Sequence, residues 1–176
     1  MNANEFLKEL ESRRSVRSYK SDPVPKELIE RIVRAGTYAP TGMGRQSPVI
    51  VAVTDKAVRD SLSRLNASIM GSGGDPFYGA PAVLLVLADK TVPTCVYDGS
   101  LVMGELMHAA HALGLGSCWI HRAREEFETP EGKALLERLG LDPERYVGIG
   151  HCILGYANGP EPAPKPRKEG WVHWVE

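Results

Sequence analysis

Cysteine is scarce in this 176-residue chain: Cys95, Cys118 and Cys152 stand far apart and form no C-x-x-C pair. That excludes a disulfide framework and a cysteine-based structural zinc site, and it predicts a reducing cytoplasm. Surplus charge is missing as well. The 21 Lys and Arg nearly balance the 22 Asp and Glu, for a formal net charge of −1. This argues against a general binder of nucleic acid or of anionic membranes. The longest apolar run, around residues 80 to 88, is far short of the roughly 20 residues a bilayer span needs. The opening Met1-Asn2-Ala3-Asn4-Glu5 lacks the basic-then-apolar profile of a signal peptide. Nucleotide-binding glycine fingerprints are absent: there is no G-x-x-x-x-G-K-S/T, and Gly148-Ile149-Gly150 has no third glycine at the right spacing. A phosphate site here must therefore be assembled from side chains of distant segments.

What is present begins at residue 13. Arg13-Arg14-Ser15-Val16-Arg17-Ser18-Tyr19 places three guanidinium groups and two serine hydroxyls in seven residues. In a chain without cationic surplus this is a local concentration of charge. Arginine forks and a hydroxyl suit a phosphate ester through directional, charge-assisted hydrogen bonds. A solvated basic helix end would explain the same residues, since cations are favourable there. A second basic cluster, Lys165-Pro166-Arg167-Lys168, is held extended by its prolines and offers a partner to the first. Taken alone, it reads as a solubilising patch.

The length predicts one domain over residues 1–176, large enough to bury roughly 70% of its unfolded surface. Helical spacing predicts helices over residues 5–13 (Phe6, Leu7, Leu10), from Pro25 to Gly36 (Leu28, Ile29, Ile32, Val33), over 58–69, from about Tyr97 to Leu113, and from Thr129-Pro130 to about Leu139. Strands are expected at Val49–Val53, at the unalternating Val83–Leu87, which should be covered on both faces, after Gly114-Leu115-Gly116, and at Tyr146–Tyr156. The segment from Thr41 to Pro48 reads as a ligand-approaching loop of small and polar residues. Many small residues on the long helix place it centrally or at a subunit interface. The alternating Trp171-Val172-His173-Trp174-Val175 is strand-like and poorly suited to water, so it should pair with the sheet of a second subunit.

Other candidates are weaker. His108 and His111 share a helical face with Glu105 and could hold a metal, but their neighbours are small and apolar, and no metal site is expected. Cys118 beside Trp119 has no histidine-and-acid pair to activate it, which favours a small core residue. His121 could face a ligand or be structural.

In order along nearly the whole chain, the segments Arg13-Arg14-Ser15-Val16-Arg17, Ala39-Pro40-Thr41-Gly42-Met43-Gly44-Arg45-Gln46-Ser47-Pro48, Gly79-Ala80-Pro81, Gly114-Leu115-Gly116-Ser117-Cys118-Trp119, Leu154-Gly155-Tyr156 and Lys165-Pro166-Arg167-Lys168 resemble the nitroreductase family of FMN-dependent oxidoreductases. The resemblance implies an α+β fold with a mixed central sheet flanked by helices. It also implies a homodimer formed through the long helix, with exchanged C-terminal strands. Residue by residue, Arg13, Arg14 and Ser15 match the groups that grip the FMN phosphate and ribityl chain, and Arg17 the cation beside the flavin N1–O2 edge. Lys165 and Arg167 match the late basic residues closing over the phosphate. Gln46 matches a residue near the ring edge, and Gly116 and Ser117 those beneath the ring. Pro40 and Thr41 would come from the partner subunit. Where many members carry an asparagine two residues before the glutamine, this chain has Gly44, and Ser47 separates Gln46 from Pro48.

The implied activity is ping-pong transfer of a hydride from NADH or NADPH to the flavin, then of two electrons to nitroaromatic or quinone-type acceptors. No acid–base residue is required, because the flavin N5 carries the chemistry and Arg17 lends electrostatic support. A non-catalytic FMN store or sensor is the alternative from another class, and a basic-patch module that binds an anionic partner is a third.

Overall fold

The computed structural model describes residues 3–176. Helix α1 (Ala3–Ser12) leads into the arginine stretch, and α2 (Lys26–Gly36) follows directly on Pro25. After a single 3-10 turn at Gly42–Gly44 come β1 (Pro48–Val53), α3 (Lys56–Met70), β2 (Ala82–Asp89) and the long α4 (Cys95–Ala112). The chain continues through β3 (Gly116–Ile120), α5 (Ala123–Glu128), α6 (Pro130–Arg138) and β4 (Tyr146–Gly155). The punctuation is local chemistry. The Asp55 carboxylate accepts the Val58 N–H at 2.9 Å to start α3, and Gly71 stops it at φ 69°. The Thr129 hydroxyl accepts the Gly132 N–H at 3.0 Å to start α6 behind Pro130.

The four strands lie in the order β1-β2-β4-β3. Every named pair is antiparallel. The parallel component expected of a mixed sheet is confined to one bridge, Ser15 to Ser117. β2 is buried along its whole length, and its two-residue period explains why it shows no polar alternation. Ala82, Leu84, Val86 and Ala88 join a core with Ile29 and Ile32 of α2 and Val102, Met103 and Leu106 of α4. Val83, Leu85 and Leu87 face a second core with Leu62 of α3, Phe127 of α5 and Leu136 of α6. With helices on both faces, each side of the strand must be apolar, and each Val or Leu so buried contributes about 1.5–3 kcal/mol.

Two elements depart from the expectations. α5 has six residues, too few to show a period, and it exists because Ala123, Glu126 and Phe127 find buried partners. Residues 171–175 form no strand within the single chain, where Trp171, Trp174 and Val175 are 67%, 83% and 98% exposed. No helix among the described residues is long and apolar enough to cross a membrane.

Candidate active site

The arginine stretch is stitched to the sheet on one side and to the departing tail on the other. Val16 N–H donates to the Ser117 carbonyl at 3.0 Å, Lys20 N–H to Tyr156 at 2.9 Å, and Asn158 N–H to Ser18 at 2.9 Å. Val16 and Tyr19 point inward and are buried, and the Tyr19 hydroxyl donates back to the Val16 carbonyl at 2.8 Å. Burial pushes that phenol's pKa well above its usual range. With these two side chains anchored, Arg17 is left exposed. Gly116 makes the approach possible: a Cβ there would stand 2.9 Å from the Val16 Cβ.

Because the tail leaves β4 beside residues 18–20, the two basic clusters meet. Arg13, Arg14, Ser15 and Arg17 line one cleft of about 1020 Å³ together with Lys165 and Arg167. Arg14 is partly committed, its Nη1 donating to the Glu11 and Arg13 carbonyls at 2.7 and 2.8 Å, which caps the end of α1. Arg13 is not so committed at Nη1, which is buried without a partner. The Ser117 hydroxyl and Trp119 Nε1 are likewise buried and unpaired. Buried donors without acceptors are costly; of these three only Arg13 lines the cleft, whereas Ser117 and Trp119 lie on β3 and do not, the indole Nε1 facing Gly150 of β4. The cleft's own lining, four arginines and a lysine with the Ser15 hydroxyl, fits an anionic, multiply accepting ligand such as a phosphorylated flavin.

Pro40, Thr41 and Gln46 do not line this cleft. They belong to the loop ahead of β1, where Met43, Gly44 and Gln46 all have positive φ (56°, 66° and 50°). For the two non-glycine residues that conformation needs support. Gln46 N–H donates to Thr41 Oγ1 at 3.1 Å. Asp98, buried in the first turn of α4, accepts from Gly42 N–H at 2.9 Å, Ser47 Oγ at 2.8 Å and Thr94 Oγ1 at 3.1 Å. Burial alone would raise its pKa, but the Gly42, Ser47 and Thr94 bonds outweigh burial and hold the carboxyl below the usual range. Sequence reasoning missed Asp98. Its signal was an acid at a helix N-terminus, a place that favours negative charge.

The profile of the nitroreductase family matches residues 10–76 and 72–156. The chain belongs to the nitroreductase family. A Bacillus subtilis protein named FMN reductase (NAD(P)H) is 28% identical over 187 residues, spanning 93% of this chain and 70% of that protein. A nitroreductase of Bacteroides fragilis, solved with bound FMN, superposes with a TM-score of 0.90 at 28% identity, over 99% of this chain and 100% of that one. A Desulfitobacterium hafniense nitroreductase with bound FMN gives 0.87 at 27% identity, over 100% of both chains.

In this nitroreductase-family chain the remaining candidates have other duties. No group of three or more His, Cys, Asp or Glu among the described residues could hold a metal. His111 instead lies 2.7 Å from the Ser12 hydroxyl. His108 is held below the usual imidazole range by burial and then by the charges of Arg13 and His111, against the pull of Glu105. Cys118 is buried and free. The His121 carbonyl accepts from Asn66 Nδ2 at 2.8 Å. That amide also reaches Glu126 Oε1. Glu126 in turn faces His151 Nε2 at 2.9 and 3.0 Å, with both residues fully buried. The spacing of Glu126 and His151 along the chain carried no sign of this pairing.

Proposed function

We propose that the chain is an FMN-dependent NAD(P)H oxidoreductase. The carrying observation is the convergence of Arg13, Arg14, Ser15, Arg17, Lys165 and Arg167 on one cleft, with Arg13 Nη1 buried and unpartnered. Arg13 is the principal phosphate anchor, since Arg14 spends part of its guanidinium on α1. Ser15 adds a hydroxyl, and Lys165 and Arg167 close from the tail. Ser117 and Gly116, on the strand edge next to Ser15 and Val16, would lie beneath the ring. Arg17 would set a fixed positive charge beside the ring's N1–O2 edge, where charge accumulates on reduction. When bound, FMN supplies the two-electron chemistry, taking a hydride from NAD(P)H and passing reducing equivalents to nitroaromatic or quinone-type acceptors in a ping-pong cycle.

The working unit in this reading is a homodimer. His111 and the basic cleft lie toward one end of α4, and the loop anchored by Asp98 lies at the other, roughly 20 Å away along the helix. One flavin can meet both only if a second copy packs antiparallel on α4 and delivers Pro40, Thr41 and Gln46. The exposed Tyr97 and Leu101 of α4, with Tyr38 beside the loop, supply an apolar face for that packing. The exposed tail, with Trp171 and Trp174, would add to the partner's sheet at the free edge of β1.

The test is spectroscopic. Purified protein loaded with FMN should bleach with NADH or NADPH under anaerobic conditions and recover its colour with a quinone or nitroaromatic. Flavin bound but never bleached would favour a store or sensor. Failure to take up FMN would favour an anion-binding module. Arg13→Ala should weaken FMN binding by about ten- to a hundredfold, the loss of one charged hydrogen bond, with the fold retained. Unchanged affinity would remove Arg13 from the phosphate site.

A further inference from the structure

The floor and roof of the basic cleft are joined at one side chain. His111, near the C-terminal end of α4, puts Nε2 2.7 Å from Ser12 Oγ and 3.5 Å from Glu9 Oε2, both on α1. Its Nδ1 lies 3.7 Å from Glu161 Oε1 on the tail. Arg13 follows α1 directly, and Pro162 to Arg167 line the cleft directly after Glu161. The imidazole thus stands where the two cationic arms are hinged, and its ring is only 16% exposed.

We propose that His111 is a positioning residue for the FMN cleft, a fastener between α1 and the tail that tightens when its imidazole gains a proton. The inference rests on the flavin reading of the cleft. A neutral ring can exchange one hydrogen bond with Ser12 and leaves the two carboxylates weakly held. A protonated ring donates at both nitrogens and attracts Glu9 and Glu161 together. The charged groups facing this junction are Glu9 on α1, Arg13 just beyond it, His108 on α4 and Glu161 on the tail. Glu105 acts through His108. His108, buried and next to the Arg13 charge, is held below the usual imidazole range. With the tail fastened, Lys165 and Arg167 are held over the phosphate at a smaller entropic cost of ordering.

The experiment measures the FMN dissociation constant by quenching of flavin fluorescence, at about pH 8 and about pH 6, since imidazole changes charge across that range. Wild type, His111→Gln and Glu161→Gln are compared. Glutamine keeps a neutral partner for Ser12 but cannot take a proton. Titration of the FMN phosphate is common to all three proteins and cancels in the ratio of variant to wild type. The expected ratio for His111→Gln is near 1 at the higher pH and about two- to fivefold weaker at the lower, in line with partly exposed ion pairs. Glu161→Gln should show part of the same pH-dependent loss, and because Glu161 is an exposed tail residue it tests the idea even if His111→Gln folds poorly. Ratios that do not change with pH in either variant would overturn the fastening while leaving FMN binding in place. Wild type that fails to bind FMN at either pH would overturn the flavin reading itself and the fastening with it.

Discussion

Replacing Asp98 by alanine removes the acceptor on which the 41–48 loop is hung. Three donors lose their partner: Gly42 N–H, Ser47 Oγ and Thr94 Oγ1. Ser47 is 4% exposed and has no ready route to water, so its unpaired hydroxyl costs about 1–3 kcal/mol. Gly42 and Thr94 are half-buried and can regain water, at about 0.5–1 kcal/mol each. The total is about 2–5 kcal/mol. With a urea slope of about 2 kcal/mol per molar, the midpoint at pH 7 should fall by about 1–2.5 M. The comparison must be made at equal protein concentration, because assembly adds to apparent stability.

The pH dependence supplies a second check on the same bonds. Asp98 is held below the usual carboxylate range in the folded chain, burial being outweighed by its three hydrogen bonds. A depressed folded pKa means that the carboxylate's stabilisation is complete above the unfolded value of about 3.9. It is lost as pH falls through the folded value. The gap between wild type and Asp98→Ala should therefore be constant from pH 7 to about pH 5 and narrow below about pH 4. An unchanged midpoint at pH 7, or a gap that persists undiminished in acid, would refute the assignment of Asp98 as the loop's charged anchor.

Arg17→Ala should lower the reduction potential of bound FMN more than it lowers FMN affinity; a redox titration without a shift would remove its place beside the ring. His151→Ala strands the fully buried Glu126 with only the Asn66 amide and should cost about 3–5 kcal/mol in urea unfolding. A loss below about 1 kcal/mol would mean that the pair adds little. Deleting Trp171 to Glu176 should weaken dimerisation in sedimentation at low protein concentration, and sedimentation equal to wild type would refute an exchanged tail.

Much of the architecture could be read along the chain. Short apolar runs located β1 and β2, and helical spacing located α2, α3 and α4, to within a few residues, because each signal lies inside a single element. Thr129-Pro130 marked the start of α6 for the same reason, since a cap acts over three residues. The two basic clusters were visible as local excesses of charge in a neutral chain, and their order among the other segments pointed to the family. Folding decided whether residues 13–17 and 165–167 would ever meet. They meet because β3 and β4 are neighbours and the tail leaves β4 alongside Ser18. Asp98 found Gly42 across 56 residues, and Glu126 found His151 across 25. His111 found Ser12 across 99. A hydrogen-bond partner at such a distance is chosen by strand order and helix placement, which no local period encodes. The sequence could therefore supply donors and charges in the right number, while only the packed sheet with its helices could bring them to one cleft and leave Arg13 Nη1 buried without a partner.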